Sequence, residues 1–359
     1  MNKLALRFDW LLLGAIVCLL IFSLLIIWSI APAVFPEQLI FALFGLGLFF
    51  VFSQIDWRIY PGLAWLFYAA SLAILGVTFI FGTVSRGAVR WIQIGSLTIQ
   101  PSELAKPLLI LFFAYFFSRE ENLSLKRALW GGLLLLLPAI LVFAQPDLGS
   151  AIIISLFWLA IVLGAGLSGK WLAAGAGLVL LMLPLAWRFL KDYQRQRIYT
   201  FLNPSLDPLH SGYNIIQSII AVGSGQLFGR DLGMGTQSHL RFLPERHSDF
   251  IFASIAEELG FLGVGVLLVI FVLLLWRILR VAQAAEDRFA MLVCLGVFAM
   301  VFGQFFINAG MNLGLLPVTG ITLPLVSSGG SSLVAILVSL GLVENVAGFI
   351  GKNEVKYYL

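Results

Sequence analysis

The feature that most constrains this chain is a run of about 20 apolar residues that recurs, with short polar breaks, along nearly the whole sequence. Hydrophobic residues make up 60% of the 359 residues and charged residues only 11%, against about 25% in an ordinary soluble domain. A water-soluble fold of this length has too little interior to bury so much apolar surface. Because a helix needs roughly 20 apolar residues to cross a bilayer, the sequence predicts an all-α polytopic membrane protein.

About ten spanning helices fit these runs, and they form a single transmembrane domain over residues 1–359. The first run follows Lys3 and Arg7, but its apolar stretch exceeds the ~7 to 15 residues of a signal-peptide core, so we interpret it as a retained helix. The predicted spans are Trp10 to Ala31, Gln38 to Ser53, Gly62 to Phe81, Glu103 to Ser118, Ala128 to Phe143, Ser150 to Leu167, Trp171 to Leu190, Phe250 to Trp276, Phe289 to Met311 and Ser328 to Ile350.

Basic residues are divided unequally between the two sets of connections. With the amino terminus inside, every predicted inner connection carries Lys or Arg, whereas the outer connections 32–36, 145–149 and 312–327 carry none. Two longer outer segments are exceptions: the loop 82–101, which carries Arg86 and Arg90, and residues 191–248. Short loops show this asymmetry under the positive-inside rule. The sequence therefore predicts a multi-pass protein of the inner (cytoplasmic) membrane with both termini in the cytoplasm.

One predicted extracytoplasmic loop, residues 191–248 between the seventh and eighth spans, is much longer than the others. An ordinary solvated loop is one interpretation, but a connection of this length in a compact protein is usually functional or disordered. The apolar residues between Tyr213 and Ile220 predict a short amphipathic helix in the membrane interface. The loop also holds all the histidines of the chain and many of its charged residues, namely Lys191, Asp192, Arg195, Arg197, Asp207, His210, Arg230, Asp231, His239, Arg241, Glu245, Arg246 and His247.

Few ionisable residues fall inside the predicted spans, where each is costly and needs an explanation. Glu103 and Lys106 open the fourth span three residues apart, so they lie on one helical face and can pair. A structural ion pair and a functional site fit them equally well, since a lysine near the outer surface can also bind an anionic head group of a membrane lipid. For Glu257 and Glu258 in the eighth span, the structural interpretation is as strong as a functional one.

Charged residues crowd at the start of the eighth span, where Arg241, Glu245, Arg246, His247 and Asp249 fall within nine residues. Asp249 as a helix cap would account for one of the acids. The whole group instead offers a carboxylate for proton abstraction, with cations nearby to hold an anionic substrate. We therefore favour chemistry over capping at this position.

Two further outer segments carry polar residues. One interpretation of Asp147 is a structural residue of the turn Gln145–Gly149. The alternative is a second carboxylate or a cation ligand close to the start of the eighth span. The segment from Asn308 to Ser332 is rich in Gly, Pro and Ser, which usually serve close helix packing in lipid. An irregular backbone at membrane depth nevertheless requires burial or a cavity.

These motifs resemble the SEDS family of shape, elongation, division and sporulation proteins, whose members include RodA and FtsW. The likeness spans most of the chain and is closer to the RodA branch. Ser248 is a departure, because Thr is usual there, but a hydroxyl group remains. The segments that resemble family blocks are Arg90-Trp91-Ile92, Gln100 to Glu103 with Lys106, Gln145 to Gly149, Arg197-Ile198, Gly212-Tyr213-Asn214, Gly235 to Gln237, Arg241 to Arg246, and Asn308 to Ser332.

The resemblance implies a peptidoglycan glycosyltransferase that polymerises lipid II on the extracytoplasmic face during cell elongation and rod-shape maintenance. Its implied partner is a class B penicillin-binding protein within a cell-elongation complex, besides membrane lipids, and no nucleic acid is expected. The family's essential aspartate falls on Asp249, its intramembrane acid and base pair on Glu103 and Lys106, and its outer-loop aspartate on Asp147. The resemblance also implies a divalent cation, Mg²⁺ or Mn²⁺, for which the sequence shows no ligand spacing.

The hypothesis that joins these lines makes Asp249 a general base, which takes the proton from the 4-hydroxyl of the acceptor GlcNAc. That hydroxyl then attacks the anomeric carbon of the MurNAc diphosphate with inversion. A transporter that flips the lipid-linked precursor is the alternative, and a non-catalytic scaffold is a third. The substrate-binding candidates are Arg90, Glu103, Lys106, Asp147, Arg197, Arg241, Arg246, His247 and Ser328.

Overall fold

The computed structural model describes residues 8–85, 88–95, 97–189, 192–204 and 212–356. All ten predicted spans coincide with helices, so the prediction of an all-α polytopic membrane protein is confirmed. A 3-10 helix, Trp57–Leu63, leads into the third of these helices. The α-helices are α1 (Trp10–Ile30), α2 (Phe35–Gln54), α3 (Ala64–Phe81), α4 (Pro101–Ser118), α5 (Leu125–Ala144), α6 (Leu148–Gly164), α7 (Gly169–Phe189), α8 (Asp192–Leu202), α9 (Tyr213–Ser224), α10 (Thr236–His239), α11 (Ile251–Ala284), α12 (Arg288–Asn312) and α13 (Gly330–Lys356).

Within the described residues, seven helical segments are long and apolar enough to cross a membrane by length and composition. These segments are α1, α2, the 3-10 helix with α3, α5, α11, α12 and α13 as far as Ile350. Helix α6 and the first part of α7 are shorter apolar helices. Helix α4 fills the remaining predicted span and carries Glu103 and Lys106 close to its start.

The helices divide into a buried centre and an apolar periphery. Helices α12 and α13 are mostly buried, and α13 packs against α2, α4 and α12. Helices α2 and α5 expose large apolar side chains on their outer faces, including Phe44 and Leu129. Continuous apolar exposure of this kind is rare in soluble monomers and is the surface that lipid tails require.

A small antiparallel sheet occupies the connection between α3 and α4, which the sequence analysis treated only as an outer loop. Strand β1 (Thr83–Ser85) pairs with β2 (Ala88–Ile94), and β2 pairs with β3 (Leu97–Ile99). Strand β3 leads through Gln100 directly into α4. The sheet thus fixes Arg90 on its central strand, whereas Arg86 lies outside the described residues.

Helix α11 is broken at Gly260, where the sequence predicted one continuous span. The backbone of Gly260 has φ 64° and ψ −164°, a conformation that L side chains rarely adopt. The break frees the amide groups of Phe261 and Leu262, which donate to the carbonyl oxygens of Gln226 (2.8 Å) and Leu227 (3.1 Å). These two hydrogen bonds hold the segment that follows α9 against the kink in α11.

The long loop is folded into short helices. The predicted helix between Tyr213 and Ile220 is confirmed as part of α9, which buries Ile215, Ser218 and Ala221 and packs against α11. Lys191, Asp207 and His210 lie outside the described residues. Arg197 belongs to α8, but its side chain also lies outside the described part of the structure.

Candidate active site

A cavity of about 430 Å³ lies where the sheet meets the start of α11 and the segment 320–332. Among the described residues, two carboxylate residues, Glu245 and Asp249, line it together with one basic residue, Arg90. Hydroxyl and amide side chains from β2, β3 and the segment 320–332, Ser328 among them, complete the wall. The structure therefore brings Asp249, Arg90 and Ser328, three of the predicted site residues, into one cavity.

Asp249 lies two residues before the first residue of α11 and does not cap the helix. The N-cap residue is Phe250, and no side-chain hydrogen bond caps this helix, so the capping interpretation is wrong. Two asparagines of α12 hold the backbone of Asp249 instead: Asn308 and Asn312 each donate from Nδ2 to its carbonyl oxygen at 3.0 Å. This double anchor fixes the position of the Asp249 side chain relative to the cavity wall.

The same two asparagines join three segments at the cavity, a role that the sequence analysis missed. Asn312 accepts at Oδ1 from the Ala253 backbone N–H (3.0 Å), and Asn308 also donates to the Ile321 carbonyl oxygen (2.7 Å). Both asparagines are fully buried. Buried amide side chains one turn apart in an apolar helix are the sequence signal that would have found them, because such groups need partners.

The glycine-rich segment approaches Asp249 closely at Gly320. The backbone of Gly320 has φ 75°, in the left-handed region. A Cβ atom at this position would lie 3.6 Å from Oδ2 of Asp249. Glycine here therefore permits a tight turn and leaves the space beside the carboxylate clear.

Two serines link the glycine-rich segment to the residues before Asp249. The backbone N–H of Ser328 donates to the His247 carbonyl oxygen (2.8 Å), and Ser327 Oγ donates to the Ser248 carbonyl oxygen (2.6 Å). The hydroxyl of Ser248 donates to Glu245 Oε2 at 3.0 Å. Serine at position 248 therefore still provides the hydroxyl that the resemblance requires, and that hydroxyl orients the second carboxylate of the cavity.

Arg90 carries an unsatisfied donor into the cavity wall. Its Nε atom is buried and has no hydrogen-bond partner in the part of the chain that the structure describes. A buried N–H without a partner costs about 1–3 kcal/mol, and more when the group is charged. An anionic ligand with several oxygen acceptors removes that penalty, and phosphate oxygens suit a guanidinium group especially well.

Asp147 is buried behind the cavity and does not line it. Of the two interpretations that the sequence left open, its contacts support the structural one. Its Oδ1 accepts from the Ser150 backbone N–H (3.1 Å) and caps α6, while Oδ2 accepts from Ser102 Oγ and Gln100 Nε2, both at 2.9 Å. Gln100 lines the cavity, and its backbone N–H donates to Ser331 Oγ (2.9 Å). Asp147 therefore acts on the cavity through Gln100.

Glu103 and Lys106 form the ion pair that their spacing predicts. Lys106 Nζ donates to Glu103 Oε1 at 2.6 Å, and the two residues are 1% and 6% exposed, respectively. Gln304 of α12 reaches Glu103 Oε2 at 3.5 Å. The pair lies inside the bundle on α4 and is not part of the cavity wall.

The other predicted cations at the start of α11 do not line the cavity. Arg246 donates from Nε to the Ile30 carbonyl oxygen at 3.1 Å, which ties it to the end of α1. Burial lowers the pKa of the Arg246 guanidinium, the neighbouring Arg241 lowers it further, and Glu245 opposes the shift. Arg241 is exposed, and His247 is half-buried.

Glu257 and Glu258 are fully buried and hold the long loop against α11, so the structure supports their structural interpretation. Glu257 Oε2 accepts from the backbone N–H (2.9 Å) and the hydroxyl (2.6 Å) of Ser238 in α10. Glu258 Oε1 accepts from Ser29 Oγ (2.8 Å) and lies 2.7 Å from Nε2 of His239.

Known proteins resemble the chain over nearly its full length. A family model named FTSW_RODA_SPOVE and described as "Cell cycle protein" matches residues 4–350. Peptidoglycan glycosyltransferase MrdB of Escherichia coli (strain K12) is 41% identical over 343 residues, covering 94% of this chain and 93% of MrdB. Stage V sporulation protein E of Bacillus subtilis (strain 168) is 38% identical over 329 residues, covering 87% of this chain and 86% of that protein.

Solved structures share the fold. A chain of a complex described as "Structural coordination of polymerization and crosslinking by a peptidoglycan synthase complex" has a TM-score of 0.85 and 34% identity, covering 95% of this chain and 98% of that chain. The rod shape determining protein RodA of Thermus thermophilus has a TM-score of 0.73 and 31% identity, covering 96% of this chain and 98% of that chain. The chain therefore belongs to the family of membrane proteins that comprises FtsW, RodA and SpoVE.

Proposed function

We infer that this membrane protein is a peptidoglycan glycosyltransferase that polymerises lipid II into glycan strands during elongation of rod-shaped cells. The observation that carries this function is one cavity at the end of the helical bundle that holds the Asp249 carboxylate and the Arg90 guanidinium together. MrdB of E. coli, with 41% identity over 94% of this chain, bears the name peptidoglycan glycosyltransferase.

In the proposed reaction Asp249 acts as the general base. Its carboxylate takes the proton of the acceptor's GlcNAc 4-hydroxyl as that oxygen bonds to the anomeric carbon of the donor's MurNAc. The bond from this carbon to the diphosphate breaks, and the lipid diphosphate leaves with the electron pair, so the configuration at the carbon inverts. Asn308 and Asn312 hold the backbone of Asp249 and thereby position the base.

Among the described cations, Arg90 is the best placed for the leaving diphosphate, because it lines the cavity and its Nε lacks a partner within the described residues. We expect Arg90→Gln to lower the polymerisation rate roughly a hundredfold to a thousandfold, the usual loss when one donor to developing charge is removed. The measurement is initial polymerisation rate with purified protein and labelled lipid II.

Arg241→Gln is the matched control for Arg90→Gln. Arg241 is an exposed arginine close in sequence to the start of α11, and it does not line the cavity. Its rate should stay within about twofold of the wild type, as expected for an exposed charge. Equal losses in the two variants would mean that a diffuse positive field, and not Arg90 itself, supports the reaction.

A divalent cation fits the oxygen-rich wall of the cavity. The described residues contain no group of three or more His, Cys, Asp or Glu side chains that could hold a metal ion alone. Mg²⁺, however, is usually bound by one or two carboxylates together with substrate phosphates. Glu245, with the diphosphate of the substrate, would hold Mg²⁺ or Mn²⁺, and the ion would supply countercharge to the leaving group.

The membrane orientation and the partner belong to the same proposal. The basic inner connections support cytoplasmic termini, and with the termini there the start of α11 and the cavity would lie at the extracytoplasmic side. A class B penicillin-binding protein is the proposed crosslinking partner. It is supported by the similarity to a chain of the solved peptidoglycan synthase complex.

Labelled lipid II given to the detergent-solubilised protein tests the function directly. Glycan strands that form with Mg²⁺ and fail to form with a chelator are the expected result. The buried Glu103–Lys106 pair is the feature that favours a flippase for the lipid-linked precursor. Transport of lipid II by protein in vesicles without any glycan product would support that alternative and refute the polymerase.

A further inference from the structure

A second cavity lies at the end of the bundle opposite Asp249. Helix α11 begins beside the Asp249 cavity, and its last turns, with the start of α1 and the end of α13, enclose about 650 Å³ there. Among the described residues, the charged ones that line this cavity are Asp9, Arg277 and Arg280. These three side chains make the described wall net positive, with one more basic than acidic residue.

Arg277, the first of the two arginines that line this cavity, is paired with an acidic residue of the protein. Arg277 donates from Nε to Oδ2 of Asp9, and the backbone N–H of Asp9 donates to Glu344 Oε1 at 2.8 Å. These contacts tie α11 to α1 and α1 to α13. The charge of Arg277 is accordingly offset by an acid of the protein itself.

The second arginine has its charge available for a ligand. Arg280 is exposed, and among the described residues its guanidinium group contacts the ring of Trp276, with the guanidinium carbon 5.4 Å from the ring centroid. Trp276 lines the same cavity, and it is 45% exposed. Tryptophan next to arginine at the end of a spanning helix is typical of the interface between hydrocarbon and lipid head groups.

The rest of the cavity wall suits a lipid better than a soluble anion. Besides the charged residues, the wall includes apolar side chains of α1's flank, α11 and α13, represented by Phe8, Val281 and Ile350. A free phosphate ion gains nothing from apolar surface, whereas a phospholipid places its phosphate at the arginine and its glycerol and upper acyl chain along such a wall.

We propose that this cavity binds the head group of an anionic phospholipid from the leaflet at this end of the bundle, with Arg280 contacting the phosphate. The ligand class is a phosphate diester with net negative charge, such as phosphatidylglycerol. Binding here adds a lipid contact to α1, α11 and α13 at once, far from the cavity that holds Asp249.

The test compares lipid binding to the whole detergent-solubilised protein by native mass spectrometry. Wild-type protein should retain phosphatidylglycerol in preference to phosphatidylcholine. Arg280→Gln should bind phosphatidylglycerol about fivefold more weakly, the change expected for one arginine at an anionic lipid surface. This variant keeps the Asp9–Arg277 pair intact, and an unchanged melting temperature confirms that the fold is preserved.

Arg119→Gln is the matched control. Arg119 is also exposed, and its guanidinium carbon lies 5.3 Å from the ring centroid of Tyr115. It directly follows the last residue of α4, at the opposite end of that helix from Gln100, and it does not line this cavity. Its phosphatidylglycerol binding should equal that of the wild type. Equal retention of the two lipids, undiminished binding by Arg280→Gln, or displacement of the lipid by millimolar inorganic phosphate would each overturn the proposal.

Discussion

Replacement of Asp249 by Asn should lower lipid II polymerisation roughly a hundredfold to ten-thousandfold, the range that a positioned general base contributes. Asparagine keeps the shape of the side chain but cannot accept a proton from the acceptor hydroxyl. The backbone contacts of residue 249 to Asn308 and Asn312 use its carbonyl oxygen, so the substitution leaves them in place. Initial rates with purified protein and labelled lipid II provide the measurement.

One control for Asp249→Asn checks the fold, and a second compares the two carboxylates of the cavity. The variant should elute as wild type in size-exclusion chromatography and keep its melting temperature within a few degrees, because no described backbone contact is removed. Glu245→Gln removes the other carboxylate of the same cavity. Because Glu245 is the proposed ligand of the divalent cation, this variant should also lose rate, but a higher Mg²⁺ concentration should restore part of it, whereas Asp249→Asn should stay inactive. A folded Asp249→Asn protein that polymerises at the wild-type rate would refute the assignment of the base.

The spans were predictable from the sequence because their signal is local. A run of about 20 apolar residues has one stable form in lipid, a helix whose backbone groups pair internally. The sheet β1–β3 was not predictable in this way, since its strands are three to seven residues long and are stabilised by pairing. The break at Gly260 was missed too, because a glycine inside an apolar helix usually has only a small effect, and Gly263 and Gly265 in the same helix do not break it.

The sequence predicted which charged residues belong to the site better than it predicted their hydrogen-bond partners. Asp249 was predicted from the charge cluster at the start of the eighth span and from the resemblance, and Arg90 from the resemblance; the structure places both on one cavity. Arg246 came from the same charge cluster and Asp147 from the resemblance, yet one donates to Ile30 and the other accepts from Gln100. Such partners lie more than 40 residues away in sequence, so a charge count along the chain does not reveal which charges are already used.

The buried pair of α4 gives the second large expected effect. Lys106→Met leaves the Glu103 carboxylate in the bundle with Gln304 at 3.5 Å as its remaining side-chain hydrogen-bond partner among the described residues. Removal of one member of a buried ion pair typically costs about 3–5 kcal/mol, because the other charge stays desolvated. We therefore expect a large loss of stability, measured as the melting temperature of the detergent-solubilised protein and as the yield of folded protein.

The double variant Glu103→Gln with Lys106→Met shows whether the loss comes from the stranded charge. Two uncharged side chains of similar size remove the desolvation penalty, so the double variant should regain most of the stability. Arg58→Met is the exposed control: its pair with Asp56 spans 4.0 Å with side chains 65% and 41% exposed, and its loss should be about 1 kcal/mol or less. A Lys106→Met protein as stable as the wild type would contradict the expectation that Lys106 stabilises the buried Glu103 carboxylate.

The polymerisation rate of that double variant then decides what the pair does. If Glu103 and Lys106 only support α4, a stable double variant polymerises lipid II normally, since the pair lies outside the cavity wall. If the pair binds substrate or moves a proton, the double variant folds and fails to polymerise, because neither neutral side chain carries a charge or a transferable proton at neutral pH. Stability and rate measured on the same preparation therefore separate the two interpretations that the sequence left equal.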